Sequence, residues 1–185
     1  MYSIELMVAE HDNILKFNRA VRNACIGILK GEEVCTEDFL DMVSFARNYA
    51  DKHHHGKEEQ ILFKEMVKQL GEIGNNLITH GMLVEHDMGR LFISELEAAA
   101  KQYRGKDDYE NKADIIANAI GYTKLLQRHI DKENKVVYTY AERSLSPEIL
   151  KGIDERVVDF EKQAEDEKVI ETYIQILDRL TEKYK

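Results

Sequence analysis

A step of 75 residues constrains this chain more than anything else in it. Met7-Val8-Ala9-Glu10-His11-Asp12 recurs as Met82-Leu83-Val84-Glu85-His86-Asp87, and His54-His55-Gly56-Lys57-Glu58 recurs as His129-Ile130-Asp131-Lys132-Glu133. That step carries His11 to His86, His54 to His129 and Glu58 to Glu133, and also Phe17 to Phe92, Leu62 to Val137 and Phe63 to Tyr138. A constant offset through three polar positions is hard to obtain by chance. One hairpin used twice places its copies about a pseudo-twofold axis. The period is longer than the roughly 20–50 residues of stacked solenoid repeats, so two copies suit a closed bundle better than an array.

The hairpins are helical. Apolar residues recur at three- and four-residue spacing in four long blocks. The first runs from about Ser3 to Lys30, with Ile4, Met7, His11, Ile14, Asn18, Val21, Cys25 and Ile28 on one stripe; Gly31 stops it. The second runs from a Thr36 cap to about Leu70, before Gly71 and Gly74. The third spans about Asn76 to Arg104, and the fourth follows 105–108 and reaches about Arg143. Pro147 is the only proline, and Ser146-Pro147 suits the start of a shorter helix. A last helix spans about Glu167 to Lys183. The expected fold is all-α: an antiparallel up-down four-helix bundle over 1–145, with a two-helix extension over 146–185 packed on the same domain. The extension is expected to cover the bundle end nearest the polar layer described next, through Ile170, Tyr173, Ile174 and Leu177.

Residues four apart share a helical face, so His54 pairs with Glu58 and His129 with Glu133. Heights agree too. The paths from His11 to Lys30 and from Thr36 to His54 are each about 28 Å at about 1.5 Å per residue, which leaves His11 level with His54. The second hairpin passes the same test, so all six groups fall in one layer, roughly ten residues from the end that holds the N-terminus. Four imidazoles and two carboxylates among leucines and valines are costly unless paired. Two cations about 3.5–4 Å apart, bridged by Glu58 and Glu133, resolve that cost. Mixed nitrogen and oxygen donors favour iron, with manganese or zinc as alternatives.

These residues resemble the hemerythrin-like (HHE cation-binding) family, whose pattern is a lone His, HxxxE, a lone His and HxxxE on successive helices. Here the pattern reads His11, His54 to Glu58, His86, and His129 to Glu133, and it covers about residues 3–143. The flanks agree as well: Glu10-His11-Asp12, Glu85-His86-Asp87 and the 57–63 run. The resemblance implies a non-haem di-iron centre bridged by the two glutamates and an oxo or hydroxo group. It also implies a small ligand: oxygen, peroxide or nitric oxide. The oxygen-carrying hemerythrins have a fifth histidine and an aspartate five residues beyond the last one. Here Met82 and Arg90 flank His86 at four-residue spacing, and Asn134 stands in the aspartate's place. One histidine fewer leaves an iron with an open or water-filled position and favours reactivity over reversible carriage.

The remaining polar groups read more plainly. His53 and His55 point about 100° to either side of His54, as outer-sphere or surface groups. His80 reads as a surface residue, and Lys57 and Glu59 as solvated. Glu10 and Glu85 can accept hydrogen bonds but suit a wet face. Tyr122, two turns before His129, packs and can reach the layer. With 26 Lys and Arg against 35 Asp and Glu, the net charge of −9 argues against nucleic acid or an anionic membrane as partner. No apolar run is long enough to span a bilayer, and no signal peptide is legible. Two cysteines, Cys25 and Cys35, make no disulfide framework and suit a cytoplasmic location. Three functions fit: a redox-active protein that draws on an external electron donor, a sensor or binder without turnover, and an iron or other metal store or purely structural bundle.

Overall fold

The computed structural model describes all of residues 1–185, as six helices without a strand. Helix α1 is Tyr2–Leu29, α2 covers 36–69, α3 covers 71–102, α4 covers 109–144, α5 is Pro147–Asp166 and α6 is Val169–Lys183. The first four form the expected antiparallel bundle.

Local chemistry sets most boundaries. Gly31 (φ +101°) and Gly105 (φ +108°) sit just beyond α1 and α3 in a conformation that side chains disfavour. The α2–α3 joint is tighter than expected, because α3 begins at Gly71 and not near Asn76. Gly71 turns the chain at φ +60°, and a Cβ on Gly74 would lie 2.8 Å from the Met66 carbonyl, so bulk at that position is excluded. Ser146 caps α5 by accepting from the Ile149 amide at 3.4 Å, with Pro147 in the first turn. Thr36 is not the cap of α2. Cys35 holds that place with no side-chain bond, and Glu37 and Asp38 face the helix's positive end instead.

Four stretches widen into π-helical turns: Ala46–His55, Glu58–Leu62, Ile78–Met82 and Glu133–Val137. The second and fourth are related by the 75-residue step, and each opens at a glutamate of the polar layer. Such turns are frequent at functional sites.

Two apolar clusters fill the interior. The larger contains Ile14, Phe17, Phe39, Phe45, Ile115 and Leu126, and the smaller contains Met7, Leu62, Met66, Met82 and Tyr138. The His/Glu layer separates them. Helix α5 adds Ile153 and Val157 to the smaller cluster, where Asp154 Oδ1 accepts from the Ser3 amide (2.9 Å) and hydroxyl (2.7 Å). Helix α6 then runs back along α1 and α2. Its Leu177 and Leu180 join the larger cluster, Tyr173 and Ile174 pack against it, and Ile170 is exposed. The extension therefore does not cover the layer end through α6; α5 is the helix that lies beside it. Buried Asp38 fastens α6 to α2 by accepting from Arg179 (2.6 Å), Tyr184 (2.5 Å) and Lys183. Burial alone would raise its carboxyl, but Lys183, Tyr184 and Arg179 hold it well below the usual carboxylate range. No helix is long and apolar enough to cross a membrane.

Candidate metal centre

The four bundle helices bring all six expected groups together. His11 comes from α1, His54 and Glu58 from α2, His86 from α3, and His129 and Glu133 from α4, each 1% exposed or less. Their Nε2 atoms converge on the carboxylates. His129 Nε2 lies 3.0 Å from Glu133 Oε1, and His11 Nε2 lies 3.3 Å from Glu133 Oε2. His86 and His54 Nε2 lie 3.5 and 3.9 Å from Glu58 Oε2. Five of these atoms are buried without a hydrogen-bond partner: His11 Nε2, His54 Nε2, Glu58 Oε2 and both oxygens of Glu133. Orphaned polar atoms at this depth are expensive, and cations resolve the cost. The donors fall into two four-residue groups, each with its donor atoms within 4.8 Å of one another. One is His11, His54, Glu58 and Glu133; the other is His55, Glu58, His86 and His129. The donor set fits two metal ions.

The outward nitrogens are equally ordered. His54 Nδ1 donates to Glu10 (2.8 Å), and His129 Nδ1, one repeat later, donates to Glu85 (2.9 Å). His11 Nδ1 donates to Asn134 (2.8 Å), and its counterpart His86 donates to Glu59 (2.6 Å). Such partners fix ring orientation, tautomer and basicity. Lys57 and Lys132 then bind the same two glutamates, Glu10 and Glu85. Glu10, Glu59, Glu85 and Lys57 are thus not solvated bystanders. The signal was present in the repeat, which includes Glu10/Glu85 and Lys57/Lys132, but residue type pointed to a wet face. Lys57 is fully buried because α5 supplies a second carboxylate, with Lys57 Nζ donating to Glu161 at 2.5 Å.

The tyrosine that reaches the layer is Tyr138. Its hydroxyl donates to Glu58 Oε1 at 2.5 Å, and its ring stacks over His11 with centroids 5.7 Å apart. Phe63, its repeat counterpart, stacks over His86 at 5.9 Å. Tyr122 makes no bond to the layer; it lines a 310 Å³ cavity between α2 and α3, together with His55, His86, Gly89 and Arg90. The buried rings of His55 and His86 form part of its inner wall. His53 is buried and sits 3.0 Å from Glu10, and His80 is exposed as expected.

Protons balance the charge where no cation does. Burial and the neighbouring Glu133 charge push the Glu58 carboxyl well above its ordinary value. Glu133 goes the other way: burial opposes ionisation, but His129 and His11 hold its carboxyl well below the usual range. Burial would lower His129, yet Glu133 and Glu85 lift it to about 9. Burial and the nearby His11 lower His54 to about 4, so it is a neutral donor at pH 7.

The hemerythrin HHE cation binding domain model matches residues 2–141, well over half of the chain. No curated protein and no solved structure matches it.

Proposed function

The chain belongs to the hemerythrin HHE cation binding domain family, and from the geometry of its buried layer we propose that it is a non-haem di-iron protein that binds or reacts with oxygen, peroxide or nitric oxide. The observation that supports this most is the pair of donor groups that share Glu58 and leave five buried polar atoms unpartnered. Glu133 directs one oxygen at His11 and the other at His129, so it would hold both ions. Glu58 Oε2 lies between His54 and His86, so Glu58 would be a second carboxylate shared by the two ions. Nitrogen-rich mixed donors suit iron or manganese better than zinc, which prefers four-coordinate closure. A bound iron pair supplies redox chemistry at this depth.

The protein residues do the rest. Glu10, Glu59, Glu85 and Asn134 hold the imidazoles with Nε2 inward. Tyr138 orients Glu58 through Oε1. The apolar clusters above and below keep bulk water away, and the cavity beside His86 admits a small molecule. On this reading electrons for turnover come from an external donor. The test is metal analysis of the purified protein, followed by consumption of peroxide, oxygen or nitric oxide with a reductant present. Two irons per chain and ligand consumption are expected. A fully iron-loaded protein that leaves all three untouched and whose optical spectrum none of them alters would refute the reading.

A further inference from the structure

Of the seven histidines in this chain, five share one arrangement. His11, His54, His86 and His129 each commit Nδ1 to a side-chain oxygen and turn Nε2 inward. His55 does the same on its outer side, with Nδ1 3.2 Å from Asp51 Oδ1. Arg90 grips Asp51 in turn, its Nη2 2.7 Å and its Nε 3.0 Å from Oδ1. His53 is reversed: its Nε2 is the nitrogen near Glu10, and its Nδ1 has no partner. His55 is 4% exposed, and its ring lies flat on that of His86, with centroids 3.8 Å apart and 8° between planes. It meets His129 edge-on at 5.6 Å. A ring nitrogen of His55 falls within 4.8 Å of donors on Glu58, His86 and His129.

Resting on the di-metal reading above, we infer that His55 is a fifth imidazole ligand. It forms a three-histidine position with His86 and His129, and His11 and His54 form a two-histidine position. The repeat does not contain this feature, because the counterpart of His55 is Ile130. The missing histidine expected four residues from His86 is thus supplied from the neighbouring helix. In an α-helix His55 would point about 100° away from His54. The π-helical run Ala46–His55 places more residues in each turn, which narrows the angle between neighbours and lets both rings face inward. Asp51 acts through His55 as a positioning residue. The consequence is inequality: the three-histidine position holds its cation more tightly than the other.

Cobalt(II) alone, added to the purified full chain without oxygen, tests this. Each ligating imidazole keeps its Nδ1 proton and contributes one exchangeable, strongly shifted proton resonance. Five are expected in the unaltered chain with two cobalt ions bound. His55→Phe keeps an aromatic plane on His86 but removes the nitrogen; it should show four and bind one of the two ions roughly tenfold or more weakly. His80→Gln, at an exposed position, should retain five. Four resonances from the unaltered chain at two bound cobalt ions would overturn the inference, whether or not the His55 variant folds. Unchanged affinity and an unchanged resonance count in His55→Phe would also overturn it. Fewer than two cobalt ions in the unaltered chain would strike the di-metal reading instead.

Discussion

Replacing Glu161 by glutamine should loosen the whole molecule, even though Glu161 lies on α5, beyond the matched residues 2–141. Lys57 Nζ has no solvent access and two carboxylate partners, Glu10 and Glu161, the latter at 2.5 Å. Removing one partner of a buried ion pair costs about 3–5 kcal/mol when the survivor is left uncompensated. Here Glu10 remains, and the Glu161 side chain is 15% exposed, so part of the charge is already screened by water. About 2 kcal/mol is the reasonable share, which for a chain of this size lowers Tm by roughly 4–8 °C. Thermal and urea unfolding of the metal-free chain measure it, with Glu165→Gln, exposed on the same helix, as the control. Lys57→Met completes a double-mutant cycle that isolates the coupling. If Glu161→Gln shifts stability by less than about 0.5 kcal/mol, as an ordinary surface substitution does, then α5 does not secure Lys57 and the reasoning fails.

Glu58→Ala or His129→Ala should lose at least one metal ion per chain by elemental analysis, since Glu58 is a donor in both groups and His129 in one; full content in either would contradict the assignment. Tyr138→Phe should keep its metal and lose about 1–2 kcal/mol of stability in urea, because Phe63 already occupies the equivalent place and only the bond to Glu58 disappears. Asp38→Asn tests the α6 fastening through pH. The folded Asp38 carboxyl is held well below its ordinary value, so its stabilisation is complete above the unfolded pKa near 4 and is lost as pH falls further. The Tm gap between Asp38→Asn and the unaltered chain should therefore be largest at neutral pH, begin to narrow below about pH 4, and close only where the folded carboxyl itself protonates, well below that; a gap independent of pH would refute it.

The helical hairpins and the six-residue layer were legible in the sequence because helical geometry makes them local. Spacing along a helix sets both face and height, so His54 and Glu58 must share a face, and equal path lengths bring His11 level with them. The repeat then carries the result to His86, His129 and Glu133. Placements that depend on which helices touch were not legible. Lys57 reads as solvated until Glu161 arrives from α5, and Tyr138 resembles Tyr122 until one hydroxyl is found on Glu58.

The sequence by itself determined a duplicated, four-helix scaffold and the depth at which its nitrogen and oxygen donors meet. Tertiary structure decided the rest: where the extension runs, which charges it buries, and that His55 turns inward where its counterpart Ile130 offers no donor. The physical reason is that a 3.6-residue period encodes direction only within an unbroken α-helix. A π turn re-aims side chains without changing their spacing, and burial by a distant helix leaves no mark on the segment it covers.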